Sequence, residues 1–216
     1  MSSEPRRLLI FGARTFALEA ADLVADTPDL QLTGFVENLD RERCGCDHEG
    51  RPVHWIDDVA SMADSHWAIC ALGSTERYHL IDRAEQMGFR FATLIHPSAR
   101  VSRRAHIGEG AIISAGVVVA TSVHIGRHTL VNRGALIGHN VQIGDVATIG
   151  PGTNLAGFVK VGSRTYIGMS TVVVDRVSIG SRTMVAAASV VTRDVPDGVH
   201  AAGRPARVIK REVEGF

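Results

Sequence analysis

The amino-acid sequence predicts a two-part fold: a small α/β unit over residues 1–97, then an all-β parallel β-helix over residues 98–216. Three observations predict it. From Val101 to Val191 an aliphatic residue stands at every sixth position, sixteen times without a slip. Four places after each stands Ala, Val, Thr or Ser, from Ala105 through Thr165 to Val195. The first hundred residues lack this period and instead alternate apolar runs with amphipathic ones, as strands interleaved with helices do.

The elements follow in order. Arg7 to Phe11 is an apolar strand that ends at Gly12, and a helix follows with Phe16, Ala20, Leu23 and Val24 on one face. Leu30 to Val36 reads as a second strand, closing at Glu37. His66 to Leu72 is a third, ending at Gly73. Ser74 to Met87 is a helix stopped by Gly88, and Phe91 to Ile95 is a last short strand before His96-Pro97. Alternation of this kind makes a parallel, Rossmann-like sheet, which takes ligands at the carboxyl ends of its strands. Three loops gather there, and they nominate Gly12, Arg14, Glu37, Asn38, Gly73 and Ser74. The first loop has one glycine where a dinucleotide fingerprint has three, so Arg14 is the candidate to supply charge. Glu37 stands where a carboxylate could hold a ribose hydroxyl. An oligomerisation platform is the other reading of this unit.

In the repeat, strand alternation sends the aliphatic residue and the small residue four places later to one side, the interior. Three strands close a coil of eighteen residues, and stacked coils share one continuous aliphatic core. Glycine most often follows the aliphatic residue, as at Ile107-Gly108, Ile137-Gly138 and Ile179-Gly180. It is expected where the turn is crowded and φ is unusual. Residues eighteen apart then stack in columns, and one column reads Arg103, Thr121, His139, Gly157, Asp175, Arg193.

Composition narrows the function. The 23 basic and 23 acidic residues cancel, so nothing in the charge draws nucleic acid or an anionic membrane surface. No apolar run approaches a bilayer span, and no signal-peptide core precedes the first strand. Three cysteines make no disulfide framework. They read as free thiols of a cytoplasmic protein. Cys44, Cys46 and His48 alternate like ligands but lack a second pair, and no metal site is expected.

The α/β unit, the junction Ile95-His96-Pro97-Ser98-Ala99, the hexad ladder, Ile137-Gly138-His139 and the ending Gly203-Arg204-Pro205-Ala206-Arg207 occur together. The combination resembles the hexapeptide-repeat sugar acyltransferases of the sialic-acid O-acetyltransferase and UDP-4-amino-sugar N-acetyltransferase type. The resemblance implies a left-handed β-helix, a homotrimer, acetyl-CoA as cosubstrate, and a nucleotide-linked sugar as acceptor, held by the first unit. It implies that His139 is the general base with Asn140 beside it. It places Asn132, Thr148, Gly157 and Arg204 around acetyl-CoA. Direct transfer to an amine is the reaction it favours, with a sugar hydroxyl as the alternative nucleophile.

Two positions depart from that family. Asn140 stands where a carboxylate usually follows the base, and Phe16 where UDP-amino-sugar enzymes tend to carry histidine. Other classes stay open beside the transferase. His106 and His124, one coil apart, together with His128 resemble the zinc ligands of carbonic-anhydrase-like β-helices. A non-catalytic binding subunit is the remaining alternative.

Overall fold

The computed structural model describes residues 4–45 and 47–212. They form two units, the described residues up to Gly73 with Arg77–Leu94, and Ser74–Glu76 with those from Ile95 onward.

The first unit is built on one sheet. Its strands are β1 (Arg6–Phe11), β2 (Leu30–Glu37), β3 (Asp47–His48), β4 (Arg51–Trp55), β5 (Trp67–Cys70) and β6 (Arg90–Phe91), in the order β3-β4-β2-β1-β5-β6. All neighbours are parallel except β3 and β4. The central strand β1 is apolar on both faces, and Leu8, Leu9, Ile10 and Phe11 are fully buried, as a strand covered on both sides requires. Helix α1 (Thr15–Ala25) buries Ala17, Ala20, Ala21, Leu23 and Val24. Phe16 is only half-buried, and the smaller Ala17 takes the inward position.

Three elements differ from expectation. Strand β4 has no clear counterpart in the sequence pattern, because Pro52 interrupts it. The helix expected from Ser74 starts at Tyr78, after a 3-10 turn over Thr75–Arg77, and α2 (Tyr78–Gln86) then ends before Gly88, whose φ of +89° turns the chain. Phe91 to Ile95 is not one strand. Phe91 pairs with Ala68 of β5, whereas β7 (Leu94–Ile95) heads a sheet of the second unit.

His66 precedes β5, buried, with Nδ1 against the Ser65 hydroxyl at 2.9 Å and the Met62 carbonyl at 3.2 Å. Burial, and then the charge of Arg7, pushes its pKa below the ordinary histidine value. The unfolded chain binds a proton that the folded unit refuses, so stability falls as pH drops through the unfolded value of about 6.5. Thermal melts should show a larger loss between pH 7.5 and 5.5 in wild type than in His66→Phe; equal losses would contradict this account.

The second unit is a parallel β-helix. Two-residue strands recur every six residues from β8 (Arg100–Val101) to β23 (Val190–Val191), followed by β24 (Val199–Gly203) and β25 (Ala206–Arg211), which pair as an antiparallel hairpin. Strands fall in turn on three faces. The first face runs from β7 through β10, β13, β16, β19 and β22 to the hairpin; the second holds six strands and the third five. Paired residues are eighteen apart, as in Leu130, Thr148 and Tyr166. The aliphatic ladder from Ile113 to Val191 is buried throughout.

The small residues four places on are buried too, and where they are threonine their hydroxyls are satisfied. Thr129 donates to the Gly144 carbonyl at 2.9 Å, Thr153 to Gly168 at 3.2 Å and Thr171 to Ala186 at 3.2 Å. A polar residue thus enters the core without an orphaned group.

The corners revise the role given to glycine. The left-handed residue stands third after the ladder position, at Gly110, Gly116, Gly134 and Gly152, but also at Asn140, Phe158, Arg164 and Arg176. Glycine directly after the ladder residue answers a different need. A Cβ on Gly138 would lie 2.7 Å from the Leu155 carbonyl oxygen, and one on Gly168 2.4 Å from the Ala187 nitrogen. These glycines permit one coil's corner to rest on the next. Among the described residues no helix is long and apolar enough to cross a membrane.

Candidate active site

The second face ends at Ile137, and the chain turns through Gly138-His139-Asn140 before Val141 points inward again. Asn140 adopts φ +58°, a conformation that asparagine tolerates because its short polar side chain bonds locally. The turn leaves His139 exposed. Asn140 Oδ1 lies 3.1 Å from His139 Nδ1. Oδ1 accepts, so Nδ1 carries a proton, and in the neutral ring Nε2 keeps its lone pair.

The next coil lies directly against this ring. Main-chain bonds run from Asn140 N–H to the Thr121 carbonyl, from Phe158 N–H to His139 and from Arg176 N–H to Gly157, each at 3.0 Å. The column read from the sequence is therefore present. A Cβ on Gly157 would fall 2.7 Å from both Nε2 and Cε1 of His139, so the imidazole occupies space that any side chain there would take. Gly157 N–H donates to no carbonyl among the described residues. Phe158 stands perpendicular to the imidazole with ring centroids 5.2 Å apart. Arg176 covers the Phe158 ring at 4.7 Å, and its Nε is 3.6 Å from Asp175 Oδ2.

Gly157→Ala is expected to displace the imidazole from its place over the main chain, read as a shift of the His139 ring resonances. The melting temperature should change little, because the displaced group is the end of a side chain. A variant with the wild-type ring resonances would show that the space over Gly157 is not filled by the imidazole.

Of the residues assigned to acetyl-CoA, only Gly157 meets His139 within one chain. Asn132 sits one corner earlier, between the first and second faces, where its Nδ2 donates to the Ile149 carbonyl at 3.1 Å. Thr148 lies on the first face and is buried. Arg204, in the turn between β24 and β25, donates from Nε to the Ala188 carbonyl at 2.6 Å. Six residues advance the chain by one face, so Asn132, seven before His139, cannot share its corner.

In the first unit β4, β2, β1 and β5 are parallel neighbours, and the loops after β2, β1 and β5 lie along one edge. Gly12 is buried with φ +125°, and a Cβ there would meet the Ala71 carbonyl oxygen at 2.9 Å. Arg14 is exposed. Glu37 is 2% exposed; its Oε1 accepts from the N–H groups of Asn38 and Leu39, each at 2.9 Å. Its Oε2 is buried and accepts no hydrogen bond among the described residues. Arg43, absent from the residues that sequence nominates, lies 3.7 Å from that oxygen through Nε and donates from Nη2 to the Ala13 carbonyl at 3.0 Å. Its signal was the charged run Asp40-Arg41-Glu42-Arg43. Gly73 is exposed, and Ser74 Oγ accepts from Glu76 N–H at 3.1 Å.

His106 and His124 stack with rings 4.7 Å apart and 9° from parallel. Among the described residues no group of three or more His, Cys, Asp or Glu could hold a metal ion. Cys46 lies outside the described residues. Cys44 and Cys70 are free thiols, and burial pushes Cys70 up to about 12. A groove of about 400 Å³ on the third face is lined by His124, Gln142, Asp145, Lys160, Ser163 and Ser178 among others. It does not include His139.

No protein-family model matches the chain. No curated protein is similar enough to align with it. Solved structures are similar over nearly its whole length. PerB from Caulobacter crescentus, in complex with CoA and GDP-perosamine, is 32% identical with a TM-score of 0.85, over 93% of this chain and 96% of that one. The acetyltransferase domain of PglB from Neisseria gonorrhoeae, in complex with acetyl coenzyme A, is 27% identical with a TM-score of 0.87, over 95% and 100%. WeeI from Acinetobacter baumannii is 26% identical with a TM-score of 0.87, over 94% and 100%.

Proposed function

The chain belongs to the hexapeptide-repeat sugar acetyltransferases, and we propose that it moves an acetyl group from acetyl-CoA to an amine of a nucleotide-linked sugar. It is an acetyl-CoA-dependent acyltransferase, and His139 is the residue on which the proposal turns. The observation that carries this role is the imidazole held at Nδ1 by Asn140, with Nε2 over the bare backbone of Gly157.

In the proposed reaction the neutral amine attacks the thioester carbonyl. Nε2 takes the amine proton as the C–N bond forms, a service a histidine performs well near neutral pH. The Gly157 N–H is proposed to stabilise the oxyanion. The C–S bond breaks, coenzyme A leaves as the thiolate and recovers the proton from His139, and the sugar carries away an amide. No covalent enzyme intermediate is needed. Asn140 orients the ring without adding a negative charge.

The first unit, as a Rossmann-like domain, is proposed to hold the nucleotide through Gly12, Arg14, Glu37, Asn38 and Gly73; Ser74 falls in the second unit. Glu37 Oε2, a buried acceptor, suits a donor from ribose or base. PerB was crystallised with GDP-perosamine, which makes a GDP-linked amino sugar the first acceptor to try. The β-helix is proposed to wind left-handed and assemble as a trimer. Val118, Leu136 and Val172 are exposed apolar residues in one column of the second face, with Asn154 between the last two. Asn132 and Arg204 lie along one border of that face and His139 along the other, so a neighbour could bring the two sets together. A monomer by sedimentation would remove that arrangement.

The test is coenzyme A release from acetyl-CoA with GDP-, UDP-, dTDP- and CMP-linked sugars, each as the amine and as the hydroxyl. Turnover with one amino sugar is the expected result. Turnover confined to a hydroxyl acceptor would move the assignment to O-acetylation. Acetyl-CoA binding without turnover would count for a non-catalytic subunit.

A further inference from the structure

We propose that Phe158 is a positioning residue for the His139 imidazole, holding by contact a ring that Asn140 holds through a single neutral hydrogen bond. The inference rests on the reading of His139 as the base, and it names a side chain which that reading leaves out.

The geometry begins with what Asn140 cannot do. Its Oδ1 restrains one ring atom at 3.1 Å, on an exposed corner where water competes for the same N–H. Gly157 beneath the ring supplies no side chain to stop the imidazole from swinging. A second restraint is therefore needed on the remaining side, and Phe158 is the group that stands there, edge to face, with centroids 5.2 Å apart and planes at 90°. That arrangement is the favoured one for aromatic pairs. Phe158 N–H also donates to the His139 carbonyl at 3.0 Å, so backbone and side chain of one residue both engage the base.

Phe158 is not a core residue. Leu155 and Val159 take the inward places in its hexad, while Phe158 is 40% exposed. Its left-handed φ of +61° does not by itself select an aromatic, since Val146 and Arg164 adopt the same conformation at other corners. What sets Phe158 apart is its pair of neighbours. Arg176 lies over the ring at 4.7 Å and is itself drawn by Asp175 at 3.6 Å, so a cation–π contact keeps the ring from turning out to solvent. The sequence Asn140–His139–Phe158–Arg176–Asp175 is thus a continuous chain of contacts across three coils, with the Nε2 side left for the reaction.

The experiment separates ring position from turnover. Long-range ¹⁵N–¹H spectra of the full-length protein, with His139→Gln to assign the resonance, report which ring nitrogen carries the proton. Wild type should give a single Nδ1–H tautomer. Phe158→Leu should give averaged shifts, and its kcat should fall about ten-fold with KM for acetyl-CoA unchanged within about two-fold. Phe158→Tyr should restore both readouts. Adding Asn140→Asp to Phe158→Leu should recover a single tautomer, because a carboxylate makes the stronger bond. A Phe158→Leu protein that melts like wild type and keeps the wild-type imidazole spectrum would overturn the proposal. Averaged shifts with undiminished kcat would uphold the positioning and remove His139 from the role of base.

Discussion

Replacing His139 by alanine is expected to lower kcat for acetyl transfer on the order of a thousand-fold, within the range that one general base contributes. Acetyl-CoA affinity should stay within a few-fold. The reason lies in what else is available at the corner. Asn140 has no basic group, Gly157 offers only backbone, and Arg176 is held over Phe158. With the imidazole gone, proton removal falls to water, and the substrates remain in place. The measurement is the initial rate of coenzyme A release at saturating acetyl-CoA, beside binding of acetyl-CoA by titration calorimetry. Loss of binding together with rate would point to damage of the cosubstrate site. A rate within ten-fold of wild type would reject His139 as the base.

Gly168→Ala is expected to destabilise the β-helix by about 3 kcal/mol, at the upper end for an overpacked site. The added Cβ would lie 2.4 Å from the Ala187 nitrogen and 2.8 Å from the Ala186 carbonyl carbon. Both are backbone atoms of the next coil, fixed in turn by the bond from Gly168 N–H to the Val185 carbonyl at 2.8 Å. Neither side can yield without opening the stack. Gly134→Ala is the control. Gly134 has φ +68°, but a Cβ added there would meet nothing within 4 Å, so only the backbone preference is lost, about 1 kcal/mol. Urea melts followed by circular dichroism should rank the two in that order. Equal losses would mean that φ, and not contact between coils, governs the corners.

Sequence made the β-helix plain because every coil repeats the same contacts, so one physical requirement is written sixteen times. The column through His139 followed from the same arithmetic. What sequence could not convey was contact between side chains at one corner. Phe158 follows Gly157 with no periodic signal, and its relation to His139 and Arg176 exists only once coils are stacked. Arg43 was hidden similarly: a charged run reads as solvated surface, yet folding brings it to Glu37 and Ala13. The first unit was harder because its elements are unique. β4 begins Arg51-Pro52, and proline argues against a strand unless the partner spares its missing N–H. Phe91 to Ile95 reads as one apolar run although its two ends pair in different sheets, since local pattern carries no information about which neighbour a strand will find.

Because paired residues are eighteen apart from β8 to β23, and only the last coil departs with Val185 paired to Ala201, the β-helix is quantised in length. Loss or gain of one residue would rotate every later side chain out of its column, whereas a whole coil could be added or removed with each column intact. Each such step would lengthen or shorten the distance along the axis between His139 and the terminal hairpin that carries Arg204 by one strand spacing, about 4.8 Å. The fold is therefore graduated, like a rule marked in single strands. A member of this architecture could accommodate a longer or shorter cosubstrate by changing the count of coils while the corner that carries His139 stays untouched.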